Sequence, residues 1–209
     1  MNMDHSPKTA RDFIFRNIPG ASAEDDRPSF VTAPQWGFTL PETLMTLAIA
    51  GLLLGLAAPA LRSLSLNNRM TAAVNQLMGE LNLARSESIK RNAVVAICKS
   101  SNGTTCYDEA AWHKGWIVFT DNNNNHAVDA GETVIHVQQA LEGNLTLRYG
   151  ETGKYSYVRY NPTGEAWPGA TFTFCDGRGA DSAKAVIVYW TGRPRVSTKT
   201  SDGKALNCT

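Results

Sequence analysis

"GFTLPETLMTLAIAGLLLGLAAPALRSLSLNNRMTAAVNQLMGELNLARSESIKRN", Gly37 to Asn92, falls into two halves of different chemistry. From Thr43 to Leu61 there is no charged residue, and Arg62 closes the run. As a helix rising about 1.5 Å per residue, that segment covers about 28 Å, close to the hydrocarbon thickness of a bilayer. Beyond Arg62 the pattern changes. Leu66, Met70, Ala73/Val74, Leu77, Leu81, Ala84 and Ser88 recur at intervals of three and four, which is one face of a helix. Asn67, Arg69, Asn75, Glu80, Asn82, Arg85 and Glu87 fill the remaining faces. The spacing predicts one long helix ending near Asn92, with an apolar first half and an amphipathic second half. Pro59 is expected to bend it, because proline removes a backbone hydrogen bond and crowds the preceding turn.

An apolar run near the start of a chain is either a membrane span or a secretory signal, and Ala58-Pro59-Ala60 offers an A-x-A-like cleavage site. Two features favour the span. The run is too long for a signal core, and the residues before it are not basic. Lys8, Arg11, Arg16 and Arg27 are matched by Asp4, Asp12, Glu24, Asp25 and Asp26. Glu42 stands against the grain of the segment. A carboxylate in hydrocarbon costs several kcal/mol on insertion scales, so it calls for either a snorkelling or a functional explanation.

After Asn92 the sequence turns to short stretches rich in β-branched and aromatic residues: AVVAIC, GWIVFT, TVIHVQQ, NLTLRY, YSYVRY, TFTFC and AKAVIVYW. Gly, Asn, Asp and Pro separate them, as in an antiparallel sheet with hairpins. The fold class expected is α+β, a long N-terminal helix packed on a C-terminal antiparallel β-sheet head. At 209 residues the chain has room for one domain with appended segments, and a net charge of +1 points to no particular partner. The cysteines form no C-x-x-C pair and share no ligand-like spacing with the histidines, which favours two disulfides over zinc. Cys98 and Cys106 bracket a short loop. Proximity then pairs Cys175 with Cys208, although other connectivities are open to four cysteines.

Gly37-Phe38-Thr39-Leu40-Pro41-Glu42 resembles the prepilin peptidase site of type IV pilins and type II secretion pseudopilins. The stretch from Leu81 to Cys98 is similar to the GspH/FimT branch of that family. The resemblance implies cleavage after Gly37 by the prepilin peptidase, methylation of the new N-terminal Phe38, and an assembly role for Glu42, fifth in the mature chain. There the carboxylate would meet the N-terminal ammonium of a neighbouring subunit, each offsetting the other's desolvation. It further implies a leader over 1–37, a transmembrane segment over 38–62, an amphipathic continuation over 63–92 and a periplasmic β-rich head over 93–209. The protein would then be a single-pass inner-membrane protein that joins other pilins or pseudopilins in a fibre. The leader is longer than is usual in that family, and its nearest basic residue to the cut is Arg27.

Two further stretches carry chemistry. Asp121, Asn123, Asn125, Asp129 and Glu132 fall at positions 1, 3, 5, 9 and 12 of an EF-hand-type loop, a candidate calcium site. His126 takes the place of the usual glycine, and a turn rich in Asn and Asp explains the composition without a cofactor. Near the C-terminus, Arg193, Arg195, Lys199 and Lys204 face one acid, Asp202. Gly192-Arg193-Pro194-Arg195 resembles the GRxR element of FimT pilins that bind DNA in natural transformation. On an extended strand residues two apart share a side, so both guanidiniums would face one phosphate backbone of double-stranded DNA. There is no G-x-S-x-G, no histidine pair on a helix and no Gly-rich phosphate loop, so an enzyme is not expected. Two function classes follow: a minor pilin that captures DNA, or a structural pseudopilin or pilus-priming subunit without a nucleic-acid role.

Overall fold

The computed structural model describes residues 37–208 except Asp108, Ala110 and Thr152. Most of the expected leader, residues 1–36, lies outside the described residues. By internal packing the chain divides into residues 1–49 and residues 50–209. In the first unit, α1 (Leu40–Arg91) begins. Thr39 stands at its N-cap, and the Thr39 N–H points to a Glu42 carboxylate oxygen at 3.5 Å, the long end of a hydrogen bond. A Thr-x-x-Glu pair at a helix start is a capping box, and a carboxylate in the first turn also complements the helix dipole. The apolar part of α1 is long and apolar enough to cross a membrane, and none of it is buried.

In the second unit the amphipathic stripe is the centre of the core. Met70, Ala73, Val74, Leu77, Leu81, Ala84 and Ser88 are all buried. The helix ends as its sequence allows. Asn92 adopts φ 50°, the left-handed conformation that asparagine tolerates. The Asn92 N–H then donates to the Ile89 carbonyl at 3.3 Å and the Ala93 N–H to the Ser88 carbonyl at 3.2 Å, which satisfies two otherwise orphaned carbonyls.

Two sheets, not one, complete the head. The first has the order β3-β2-β1-β5-β6 and the second β4-β7-β8-β9, with every pairing antiparallel. Their strands are β1 (Val95–Lys99), β2 (Trp116–Thr120), β3 (Val134–Gln138), β4 (Thr146–Tyr149), β5 (Tyr157–Tyr160), β6 (Ala166–Trp167), β7 (Ala170–Cys175), β8 (Lys184–Val188) and β9 (Pro194–Ser197). Seven match the apolar stretches read from the sequence. The short β6 and the polar β9 carry too little apolar pattern to be seen that way. Alternate residues of both sheets, among them Val95, Ile97, Tyr149, Val158, Phe172, Phe174, Val186 and Val188, meet the helix stripe in one cluster. The period-2 alternation of strands thus meets the 3.6 period of the helix. Trp112, in a 3-10 turn (Trp112–Lys114), and Trp116 are buried in the same cluster. Both disulfides, Cys98–Cys106 and Cys175–Cys208, are formed.

One helix residue departs from the sequence reading. Glu80, counted there among the polar faces, is 6% exposed. The indole N–H of Trp116 donates to one carboxylate oxygen, and His136 Nε2 stands 3.3 Å from the other. Partners on β2 and β3, remote in sequence, are what admit a carboxylate to the core edge. Burial raises the Glu80 pKa, opposed by the Trp116 N–H and by His136. A raised folded-state pKa means that the native protein holds this proton more tightly than the unfolded chain. The contribution is therefore present in acid and lost as pH rises through the folded pKa. Glu80→Gln keeps an acceptor for Trp116 and has nothing to titrate. Thermal unfolding from about pH 4 to about pH 7 should show the variant gaining on the wild type as pH rises. A constant gap across that range would contradict the account.

Candidate functional site

The basic C-terminal stretch is built on an edge. Among the described residues β9 pairs only with β8, with Arg195 opposite Ile187 and Val196 opposite Val186. Val186 belongs to the cluster against the helix, so Arg195 stands on the opposite face of the sheet. Arg193 precedes the strand, and both guanidiniums are exposed. Arg195 does not hang free. Its Nη2 donates to the Tyr189 hydroxyl at 2.9 Å and its guanidinium lies 5.4 Å from the Tyr189 ring centroid. Of the four basic residues, Lys204 is paired with Asp202 at 3.0 Å. The Thr200 hydroxyl, followed by the Lys204 ammonium, holds the Asp202 carboxyl down to about 2, and Asp202 in turn raises Lys204. Arg193, Arg195 and Lys199 have no acidic partner among the described residues.

Several contacts fix this stretch. Lys199 and Ala205 bridge across a tight turn in which the Thr200 N–H donates to the Lys204 carbonyl at 3.0 Å. Leu206 and Cys208 pack with Cys175, Ala183 and Ala185, which pins the C-terminal residues to the second sheet. At the other end Gly192 has φ +73°, and a Cβ there would overlap the Gly164 carbonyl oxygen. That same carbonyl accepts a hydrogen bond from Arg85 Nε at 3.0 Å. Ser88 Oγ lies 3.1 Å from the Asn161 carbonyl. The last turns of α1 thus hold the 161–164 turn, and that turn holds Gly192. The glycine of the Gly192-Arg193-Pro194-Arg195 element is required by close backbone approach.

Sequence reasoning missed the aromatic residues beside these cations. Trp190 is 67% exposed and Trp167 54% exposed, unusual for a residue type that is mostly covered. Strand alternation past Val188 turns Tyr189 outward at the end of the AKAVIVYW stretch, but it would turn Trp190 inward; Trp190 is exposed because β8 ends at Val188.

The loop Asp121–Glu132 organises its own backbone. Asp121, fully buried, accepts the N–H of Asn125 at 3.1 Å and of His126 at 3.3 Å. Glu132 accepts from the N–H of Asn122 at 2.7 Å and of Asp129 at 3.0 Å, and Asp129 accepts from the side chains of Asn123 and Asn125. His126, at the position where an EF-hand loop has glycine, takes φ 62° and stacks on Tyr157. Towards the other end of the chain, Gly37 and Phe38 are exposed just before α1, and Phe38 stands four residues before Glu42 in sequence.

Residues 73–192, more than half of the chain, match the family described as Type II transport protein GspH. The chain is 39% identical over 98 residues to the pilin-like protein PilA1 of Thermus thermophilus, a match that takes in 46% of this chain and 54% of the relative. The chain thus spans about half the length of that curated relative. Among solved structures, it is similar to the type IV minor pilin FimU of Pseudomonas aeruginosa (18% identity, 65% of this chain, 95% of that one, TM-score 0.47). A second is the minor pseudopilin EpsH from the type 2 secretion system of Vibrio cholerae (12% identity, 62% and 96%, TM-score 0.45).

Gly192→Ala should lower stability by about 2 kcal/mol or more, since it combines a left-handed backbone with a clash against fixed backbone. Gly177→Ala, where the added carbon meets nothing within 4 Å, should stay within about 0.5 kcal/mol of the wild type. Chemical denaturation of the two variants checks this, and equal midpoints would refute the packing role given to Gly192.

Proposed function

This chain belongs to the GspH family, and from that premise we propose that it is a minor pilin whose basic C-terminal stretch binds DNA for uptake in natural transformation. The family is structural and non-enzymatic, made of minor pilins and pseudopilins of the type IV pilus or type II secretion. In this reading the prepilin peptidase cuts between Gly37 and Phe38, the new N-terminus is methylated, and residues 38–62 anchor the chain in the inner membrane. Residues 63–92 continue the helix, the head from residue 93 lies in the periplasm, and the mature chain enters a fibre beside other pilins. Glu42 meets the N-terminal ammonium of a neighbour, so that two charges compensate each other away from water.

The observation that supports DNA binding is the set of exposed cations without acidic partners among the described residues, Arg193, Arg195 and Lys199, on a stretch held in place at both ends. Lys204, shared with Asp202, is the weaker contributor. Phosphate contacts dominate non-specific affinity, and no bidentate base reader is needed for it. A second reading rests on the position of β9. Natural sheets protect an edge strand with proline and charge, and Pro194 with Arg195 does so here. The protein is then a structural pseudopilin or priming subunit, and the basic residues only keep heads apart.

Two outcomes are expected. Mass spectrometry of membrane-extracted protein should find a mature chain beginning at methylated Phe38; an N-terminus at Leu61 would instead mark an ordinary secreted protein. The full chain in non-ionic detergent should bind double-stranded DNA weakly and without sequence preference, with a log–log salt slope of about −3. Arg193→Ala with Arg195→Ala should flatten that slope by about two units. A double variant that binds like the wild type would leave the edge-protection reading in its place.

A further inference from the structure

Beside the cations lies a second kind of surface. The Ala166 N–H donates to the Trp190 carbonyl at 3.0 Å, and a Cβ on Gly169 would stand 3.3 Å from the Trp190 nitrogen. Trp167 and Trp190 therefore flank the same short segment, where the edge of the first sheet hands over to the second. Both indoles are more than half exposed. Guanidiniums accompany the rings next to them. Arg159 lies 5.4 Å from the Trp167 ring centroid, and Arg195 lies at the same distance from Tyr189, which adjoins Trp190 in sequence.

Exposed indoles and tyrosines with interleaved guanidiniums suit one ligand chemistry above others. Flat rings offer stacking partners for unpaired bases, the guanidiniums meet the phosphates between them, and neither discriminates among bases. Duplex DNA cannot use the rings, because its bases already stack on one another. The neighbouring carboxylate, Glu165, accepts a hydrogen bond from the Thr163 hydroxyl at 3.2 Å and forms no ion pair with Arg159 or Arg195 among the described residues, while Arg159 also donates to the Asn124 side-chain oxygen. We infer that Trp167 and Trp190 form a stacking platform for single-stranded DNA, continuous with the phosphate-binding stretch at Arg193 and Arg195. The inference rests on the DNA-binding reading for its phosphate contacts and adds to it the strand state of the ligand.

The test uses the full chain in non-ionic detergent, with a twelve-nucleotide oligothymidylate and a twelve-base-pair duplex as probes. Trp112 and Trp116 are buried and Trp36 lies outside the described residues, so the part of the quenching that is lost in the Trp167 and Trp190 variants reports contact with bases. Oligothymidylate should quench tryptophan fluorescence, and Trp190→Ala should weaken its binding about tenfold, within the range found for one lost base stack. Trp167→Ala should act in the same direction and Trp190→Tyr should restore most of the loss. Duplex affinity should change less than about twofold in all three. Because both indoles are exposed, melting temperatures near that of the wild type are expected and serve as the folding control. Oligothymidylate binding unchanged in both alanine variants overturns the platform. So does a change confined to self-association of the chain, which would assign the patch to a protein neighbour. If the Arg193/Arg195 double variant loses duplex binding while the tryptophan variants keep oligothymidylate binding, the platform fails and the DNA reading stands. If duplex fails to bind the wild type while oligothymidylate binds through Trp190, the duplex reading fails and the platform stands.

Discussion

The head depends on the burial of one helical stripe, Met70 to Ser88, between two sheets that share no strand. Each sheet has an apolar face that must be covered, and α1 is the element that reaches both. Met70, Leu77 and Leu81 are fully buried there, each contributing about 1.5–3 kcal/mol relative to exposure. The stripe also sets positions further out. Arg85 and Ser88, at its C-terminal end, hold the 161–164 turn, and through Gly192 that turn fixes where Arg193 begins. A packing constraint in the helix thus decides the geometry of a charged surface more than a hundred residues away in sequence.

Two carboxylates on that helix illustrate opposite solutions to one problem. Glu80 is placed in the core, where distant strands give it one donor, the Trp116 indole, and bring His136 Nε2 to within 3.3 Å. Glu42 stands in an apolar segment and accepts from the Thr39 N–H at 3.5 Å, the limit of a hydrogen bond. Capping the helix explains part of its presence, since a first-turn glutamate complements the dipole by typically about 0.3–1 kcal/mol. That is less than the several kcal/mol a carboxylate costs at depth in a bilayer. The remainder is what a neighbour's ammonium would offset.

Much of this was legible in the sequence, for physical reasons. The change from an uncharged run to a stripe of period 3.6 announces both halves of α1. The seven apolar stretches announce strands because β-branched and aromatic residues suit a half-buried pleat. Cys98 and Cys106 pair across a short loop, and Cys175 with Cys208 closes the C-terminus. What the sequence hid were contacts between remote residues. Glu80 reads as a surface residue until β2 and β3 bring Trp116 and His136 to it. β9 lacks the apolar alternation of the other strands, and its pairing with β8 is a tertiary fact. The aromatic surface at Trp167 and Trp190 needs both sheets to be placed before the two residues adjoin one segment.

We propose that the negative charge of Glu42, and not its helix cap, admits the subunit to a fibre. Glu42→Gln separates the two, because the amide retains an acceptor for the Thr39 N–H while the charge is gone. The measurement is the ratio of this protein in sheared fibres to that in the membrane fraction, for wild type, Glu42→Gln and Glu42→Ala in the native host. Membrane levels should be equal in all three, since removing a charge eases insertion. The account predicts that both variants are depleted from the fibre to the same extent. Glu42→Gln entering the fibre as the wild type does would contradict it.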